Sequence, residues 1–255
     1  MRDLRAFAPT LCRLMEIPPP ALAAGKGIDE LQSKNGRVKK ALIYCPDAFG
    51  LHALTRYPAL HERLRASSTH EIALASVLPP KTPICFASLF TGGAPAEHGI
   101  TTYARPVLAC DTLFDALVRA RKKVAIVAVQ DSSIDLIFRG RPLDYYSPAD
   151  DAGVTLRALE LLRDGRHDVI VVYHQEYDDR LHDTPHFSAA AAAALERHAS
   201  SWELWVKAAA QAWGRDYLLA FAPDHGGHLD PATGNGDHGD GRAEDMDLRH
   251  FFVLK

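Results

Sequence analysis

The chain has few cysteines, and their spacing excludes two common kinds of site. Cys12, Cys45, Cys85 and Cys110 are the only four among 255 residues, and no two of them form a Cys-x-x-Cys pair. Disulfide frameworks and thiolate zinc sites depend on closely spaced or paired cysteines. Because free cysteines are among the most buried residues, we expect four reduced, mostly buried thiols.

The chain also lacks a strong charge excess and a long apolar run. Its formal net charge is -3, and 47% of its residues are hydrophobic. Basic residues are scattered, so we expect no surface that follows a nucleic-acid backbone. Met1–Arg5 alternates charged with apolar side chains and lacks the continuous apolar stretch that is typical of a signal peptide or a membrane span. These absences predict a cytoplasmic protein with no membrane segment, built as one large domain.

Short apolar runs alternate with helical patterns from Lys40 onward. Strands are predicted at Ala41–Cys45, Glu71–Val77, Val124–Val129, Val169–Tyr173 and Tyr217–Ala222, with a weaker candidate at Phe251–Leu254. Helices are predicted at Tyr57–Arg65, Pro83–Phe90, Thr112–Ala120 and Ala152–Arg163, with a long Ala-rich helix beginning near Ser188. Strands that are apolar on both faces are covered by helices on both sides. The sequence therefore predicts a three-layer α/β/α sandwich with a mostly parallel central sheet.

Residues 1–38 precede this alternating pattern and contain the breaker Pro18-Pro19-Pro20. We interpret them as an arm with one or two short helices that packs on the domain formed by residues 39–255. Trp202, Trp205 and Trp213 mark either internal packing or an interface, so a homo-oligomer is one of the two alternatives they leave open.

Three carboxylates stand at or just beyond the ends of predicted strands. Asp47 follows the first strand, and Asp178 and Asp224 follow two later ones. A single Asp at such a position is usually a turn residue. In open α/β sheets, however, ligands gather at the carboxyl ends of the strands. The ordered set therefore favours one functional rim over three unrelated turns.

Histidines accompany these carboxylates. His182 lies four residues after Asp178, His225 follows its Asp directly, and His238 lies in the Gly-rich loop Gly234–Gly239. Mixed Asp and His ligands suit zinc or manganese better than calcium. His228 is the alternative late ligand because it is nearer to His225, whereas the Gly-flanked loop gives His238 more freedom to reach back. The pattern predicts a hydrolytic metal centre.

Thr82 is the candidate nucleophile. It precedes the predicted helix Pro83–Phe90, where exposed backbone N–H groups favour an anion. A metal bound to its hydroxyl would lower the pKa of that hydroxyl. Thr followed by Pro is equally typical of a plain helix cap, and the two roles are compatible. His98 and His174 are interpreted as structural.

At this point the residues resemble the alkaline phosphatase superfamily, above all its nucleotide pyrophosphatase/phosphodiesterase and phosphonoacetate hydrolase branches. The segments that carry the resemblance are Pro79–Pro83, Ala87–Gly93, Pro95–Ile100 and His238–Met246, and the likeness covers most of Lys40–Lys255. The first three segments resemble the nucleophile block of that superfamily, with Thr82 at the nucleophile position.

The resemblance implies two divalent metal ions, zinc or alternatively manganese. Asp47, Asp224, His225 and Thr82 would hold one ion, and Asp178, His182 and His238 would hold the other. Tyr103 stands where many nucleotide pyrophosphatases carry an Asn that binds a phosphoryl oxygen, so the resemblance gives this phenol a candidate catalytic role.

Two further sequence features bear on which branch of the superfamily the chain resembles. The sulfatase branch requires a modified Cys or Ser in Cys-x-Pro-x-Arg, which Cys85-Phe86-Ala87-Ser88 does not match. The chain also has no room for the large cap of the related phosphomutases. We therefore predict a metal-dependent phosphohydrolase acting on a small phosphodiester or pyrophosphate. A phosphonate (C–P) hydrolase and a catalytically silent module that binds metal or an anion are the alternatives.

Overall fold

A central β-sheet organises the computed structural model, which describes residues 2–23, 25, 27–33 and 36–255. In chain order its strands are β1 (Lys40–Pro46), β2 (His70–Ala75), β3 (Val124–Ala128), β4 (Asp144–Tyr146), β5 (Val169–His174), β6 (Tyr217–Phe221), β7 (His228–Leu229), β8 (Gly236–Asp237) and β9 (Asp247–Leu254). Seven strands form one sheet in the order β2-β9-β6-β1-β5-β3-β4, and β7 pairs with β8. Strand β9 runs antiparallel to both of its neighbours, and the other pairings within the large sheet are parallel.

Helices cover the sheet on both faces. In chain order they are α1 (Phe7–Met15), α2 (Leu51–Arg56), α3 (Pro58–Ala66), α4 (Thr82–Thr91), α5 (Pro95–His98), α6 (Leu113–Arg119), α7 (Ser133–Ile137), α8 (Asp151–Asp164), α9 (Glu176–Asp183), α10 (Ala189–Trp213) and α11 (Ala243–Met246). A short 3₁₀ turn at Leu4–Ala6 precedes α1. Within the described part of the chain, no helix is both long and apolar enough to cross a membrane.

The two faces of β1 show how the sheet separates two cores. Ala41, Ile43 and Cys45 lie in the cluster that includes α1, α4 and α6. Leu42 and Tyr44 lie in the cluster that includes α3, α8 and α10. Side chains alternate between the faces of a strand, so a continuous apolar run fills both cores at once. The predicted three-layer α/β/α architecture with a mostly parallel sheet is confirmed.

The N-terminal segment packs on the edge of the sheet. Asp3 forms a parallel bridge with Ala75 of β2, and Leu4 and Phe7 are buried. The ring centroid of Phe7 lies 6.3 Å from that of Phe90 in α4. Five residues of the predicted arm lie outside the described residues, namely Met1, Ala24, Lys26, Lys34 and Asn35. The division of the chain at residue 38 stays a prediction.

Each predicted strand and helix lies within a few residues of an observed one. Strand β9 begins at Asp247, four residues before the predicted start, because its antiparallel pairing with β2 extends back to that residue. The sequence analysis missed the three-residue strand β4 and the two-residue strands β7 and β8. Helix α9 was also not predicted, because its sequence is highly charged and only Tyr177 and Leu181 are buried.

Candidate metal centre

The strand ends bring the first two carboxylates together. Asp47 directly follows β1, and its backbone N–H donates to the carbonyl of His174 at the end of neighbouring β5 (2.9 Å). Asp224 lies three residues beyond β6, the other neighbour of β1. Both side chains are buried. The parallel register of β5, β1 and β6 therefore places these carboxylates at one rim of the sheet, as the sequence predicts.

Thr82 is the first residue of α4, and Lys81 is its N-cap. No side-chain capping hydrogen bond forms at this end of the helix. Instead the Thr82 hydroxyl lies 3.2 Å from His225 Nε2 and 3.4 Å from Asp47 Oδ2. The hydroxyl thus faces the carboxylate rim rather than the helix backbone. Thr82 is therefore not the N-cap of α4, and its role as a nucleophile stays a prediction.

The first group of candidate ligands consists of Asp47, Asp224 and His225, which are all buried and offer ligand atoms within 4.8 Å of one another. His225 Nε2 lies 3.4 Å from Asp47 Oδ1 and 3.3 Å from Asp224 Oδ2. Thr82 adds its hydroxyl to this group. These are the four residues assigned to one metal on the basis of the resemblance.

The second group contains Asp178, His182 and His238. Asp178 and His182 lie on α9, one turn apart. Asp178 Oδ1 is 3.5 Å from His182 Nε2 and 3.5 Å from His238 Nε2. The rings of His238 and His225 stack with centroids 3.9 Å apart, so the two groups adjoin. All seven predicted ligands therefore lie in one continuous cluster.

Hydrogen bonds orient the two inner histidines. His238 Nδ1 lies 2.8 Å from the carbonyl oxygen of Pro80, and His225 Nδ1 lies 3.0 Å from that of Gly226. A carbonyl can only accept, so both Nδ1 atoms donate. Each Nε2 is left to face the carboxylates. Histidines that ligate a metal usually donate their other ring N–H to a carbonyl or carboxylate in this way.

The electrostatics of the cluster favour cations. Burial raises the pKa of Asp47 and of Asp224 well above the ordinary carboxyl value, and neighbouring carboxylates raise both further. Burial would also raise the pKa of Asp178, but the nearby His238 outweighs it and lowers this pKa to about 2. The same contact raises the pKa of His238 to about 9, against the effect of its burial. The buried carboxylates of this cluster therefore favour a nearby positive charge.

Two observations indicate that the carboxylates and imidazoles of this cluster are suited to binding divalent metal ions. Asp178 Oδ1 and Asp224 Oδ2 are buried and have no hydrogen-bond partner among the described residues. Burying a carboxylate oxygen without a hydrogen bond costs free energy unless a proton or a cation lies close to it. Carboxylate oxygens combined with imidazole nitrogens are also the donors that zinc and manganese take. Three carboxylates and three imidazoles are enough for two ions.

Tyr103 is near enough to the cluster for the charges of Asp178 and Asp47 to act on its phenol. Its side chain is 60% exposed. Its pKa is raised, first by partial burial and also by the negative charges of Asp178 and Asp47, which lie nearby. No hydrogen bond joins its hydroxyl to a described residue of the cluster. Its catalytic role stays a prediction.

The alternative late ligand, His228, lies in a different environment. Its Nδ1 is 2.7 Å from Asp245 Oδ1 and 3.6 Å from Asp240 Oδ1. The other oxygen of Asp245 accepts the backbone N–H of Gly239 (2.9 Å). Asp245 therefore ties His228 to the residue after His238. The structure places His238 against Asp178 and gives His228 a role in holding that loop.

Another group of potential ligands, Asp151, His174 and His198, is satisfied by hydrogen bonds. The backbone N–H of Tyr177 donates to His198 Nε2 (3.3 Å), so His198 Nδ1 carries the ring proton. Tyr44 Oη lies 2.9 Å from that Nδ1 and 3.0 Å from His174 Nδ1. Burial lowers the pKa of His174 to about 3. Hydrogen bonds thus hold both imidazoles of this group, and the structural role of His174 stays a prediction.

Sequence reasoning missed two residues that contact this centre. Tyr173, predicted only as the end of a strand, donates a short hydrogen bond from its hydroxyl to Asp47 Oδ2. Ala48 donates its backbone N–H to Asp224 Oδ1 (3.4 Å) and has a positive φ of 58°. Non-Gly residues in this region concentrate at functional sites. Strand patterning cannot reveal either contact, because both depend on which strands become neighbours.

Solved structures share this fold. Phosphonoacetate hydrolase from Sinorhizobium meliloti, in complex with phosphonoformate, matches with a TM-score of 0.55 and 20% identity over 80% of this chain and 61% of that one. Murine ectonucleotide pyrophosphatase/phosphodiesterase 5, in an inactive form with AMP, matches with a TM-score of 0.61 and 16% identity over 76% and 59%. A 2-O GAG sulfatase matches with a TM-score of 0.58 and 12% identity over 86% and 65%.

These three proteins are members of the alkaline phosphatase superfamily, so the resemblance found in the sequence is confirmed at the level of fold. The chain spans about three fifths of the length of these structures. No protein-family model and no curated protein matches it. Because a sulfatase shares this fold with a phosphonoacetate hydrolase and a nucleotide pyrophosphatase/phosphodiesterase, the fold alone does not indicate a substrate.

Proposed function

We propose that this protein is a metal-dependent hydrolase of phosphoric esters that uses Thr82 as its nucleophile. The observation that carries the proposal is the position of the Thr82 hydroxyl at the start of α4, 3.2 Å from His225 Nε2 and facing Asp47. A plain helix cap would face backbone N–H groups instead. Metal ions held by the nearby ligand set would supply the positive charge that phosphoryl transfer requires.

Asp47, Asp224, His225 and Thr82 would hold one divalent ion, and Asp178, His182 and His238 would hold the other. Bound there, the metals would lower the pKa of the Thr82 hydroxyl and stabilise negative charge on phosphoryl and leaving oxygens. Zinc is the ion we propose, with manganese as the alternative.

The reaction proceeds in two steps on this side chain. Thr82 Oγ1 forms a bond to phosphorus while the bond from phosphorus to the leaving oxygen breaks, and the hydroxyl proton leaves with the released alcohol. Water then cleaves the phosphoryl-threonine bond, giving the phosphate product and regenerating the hydroxyl. Phosphodiesters or pyrophosphates are the proposed substrates. The cytoplasmic location and the possible homo-oligomer stay predictions.

Thr82→Ala should nearly abolish turnover while the fold remains, because losing an activated nucleophile costs several orders of magnitude in rate. The assay is hydrolysis of bis-p-nitrophenyl phosphate and p-nitrophenyl phosphate by zinc- and manganese-loaded protein. Thr91→Ala is the matched control, since Thr91 ends the same helix and its buried hydroxyl bonds only to backbone. Substantial diester hydrolysis by Thr82→Ala would refute the covalent mechanism.

Two further substrates separate the alternatives. Phosphonoacetate tests C–P hydrolysis, the activity named for one structure of this fold, and p-nitrophenyl sulfate tests sulfate esters. Turnover of phosphonoacetate but of neither phosphate ester would assign the phosphonate reaction. Two bound metals without turnover of any substrate would support the catalytically silent module.

A further inference from the structure

Asp47 is held by a tyrosine from the neighbouring strand. Tyr173 lies in β5 and pairs in register with Cys45 of β1, two residues before Asp47. Its hydroxyl donates a short hydrogen bond to Asp47 Oδ2. The pairing of β1 with β5 therefore fixes both ends of this contact.

The phenol ring has little freedom to move. Tyr173 is 2% exposed and belongs to the core on the α4 side of the sheet. Its ring meets that of Phe86 edge to face, with centroids 5.6 Å apart. Phe86 lies on α4, the helix that begins with Thr82. The ring of Tyr173, whose hydroxyl donates to Asp47, thus packs against the same helix that carries Thr82.

The hydrogen bond divides the two oxygens of Asp47. Oδ2 receives the phenol, whereas Oδ1 lies 3.4 Å from His225 Nε2, and the Thr82 hydroxyl lies 3.4 Å from Oδ2 and 3.5 Å from Oδ1. Asp224 shows the same division, because its Oδ1 receives the N–H of Ala48 and its Oδ2 faces His225 without a hydrogen-bond partner. Each of these carboxylates therefore presents one oxygen toward the shared histidine.

We propose that Tyr173 is a positioning residue that fixes the orientation of the Asp47 carboxylate beside Thr82 and His225, the residues that would hold one metal ion together with Asp224. The inference rests on the proposed metal centre. A carboxylate that lost this hydrogen bond could rotate, because Oδ2 would keep only the longer contact with the Thr82 hydroxyl (3.4 Å). Groups that orient metal ligands typically change metal affinity by about 10- to 100-fold when they are removed.

Tyr173→Phe removes the hydroxyl and keeps the ring. The matched control is Tyr44→Phe. Tyr44 is equally buried, lies on β1 three residues before Asp47, and places its hydroxyl between His174 and His198 on the opposite face of the sheet. Both variants delete one buried, hydrogen-bonded hydroxyl, but only one of these hydroxyls contacts the proposed centre.

The measurements are zinc affinity of the apo proteins, by competition with a chromophoric chelator, and the visible spectrum of the cobalt-substituted proteins. For Tyr173→Phe we expect one of the two ions to bind about 10- to 100-fold more weakly, with an altered cobalt spectrum. Tyr44→Phe should keep the parent affinities and spectrum. In an Asp47→Asn background, the Tyr173→Phe change should add little further loss, because both substitutions act through one ligand.

Unchanged zinc affinities and cobalt spectrum in Tyr173→Phe would overturn the inference, while two ions bound by the parent would leave the proposed function standing. Equal losses in Tyr173→Phe and Tyr44→Phe would also overturn it, since general destabilisation would explain them. A parent protein that binds no metal would refute the proposed centre itself.

Discussion

Gly226 lies where three backbone segments meet beside the candidate ligand His225. A Cβ atom added to Gly226 would lie 2.1 Å from the carbonyl oxygen of Glu244 and 3.2 Å from the Cα of Gly50. A Cβ on Gly50 would in turn lie 2.5 Å from the Cα of Gly226. Ordinary van der Waals contact begins at 3.4 Å. The loops after β1 and β6 and the helix α11 are therefore in direct backbone contact.

Gly226→Ala should destabilise the protein by about 3 kcal/mol, near the upper end of the usual cost of overpacking a well-packed site. We choose that end because both obstacles are backbone atoms, which cannot swing away as a side chain can. For a domain of this size, such a change lowers the melting temperature by roughly 6–12 °C. The displacement would also move His225, so the affinity for metal should fall.

The assay is thermal and urea unfolding of chelator-treated protein, so that bound metal does not contribute to the measured stability. Gly25→Ala is the control, because no described residue lies within 4 Å of a Cβ at Gly25, and we expect its free energy of unfolding to stay within about 0.5 kcal/mol of the parent. Equal melting temperatures for the two variants would refute the close-packing argument.

Two other predictions concern His250 and the choice between His238 and His228 as a metal ligand. Burial lowers the pKa of His250 to about 4, from an ordinary value of 6.5. As the pH drops from 6.5 toward 4, the unfolded chain therefore binds a proton at this residue before the folded protein does. The free energy of unfolding should fall over this range by up to about 1.4 kcal/mol per pH unit. His250→Gln can still donate to the Pro223 carbonyl and should show a shallower fall in urea titrations; parallel slopes would count against this. His238→Ala should lower bound metal from two ions to about one per chain by elemental analysis, whereas the reverse result, with His228→Ala losing the ion, would reassign the late ligand.

The fold was predictable because it depends on patterns within single segments. Ala41–Cys45 and Val169–Tyr173 are apolar at every position, and such short runs are typical of strands covered on both faces. Helix α9 was missed because its short, charged sequence buries little. Its stability depends on packing and on Asp151, whose carboxylate accepts the backbone N–H groups of Gln175 and Glu176.

The candidate ligands were predictable as a set, but their surroundings were not. Asp47, Asp178 and Asp224 could be identified from their positions after strands, and the structure brings them to one rim. The pairing of Tyr173 with Asp47 requires knowing that β5 lies beside β1, although 128 residues separate Cys45 from its register partner Tyr173. Local patterning carries no information about such a contact.

The position of β9 has a consequence for how the protein would respond to a single backbone cleavage. Strand β9 pairs with β6 on one side and β2 on the other. The segment Asp230–Asn235, which connects β7 to β8, is largely exposed. A protease that cut this segment would break the covalent path between His225 and His238, yet both ladders of β9 would keep the two fragments bound to each other. The nicked molecule would stay assembled, and its two ligand loops would then be joined only through non-covalent contacts.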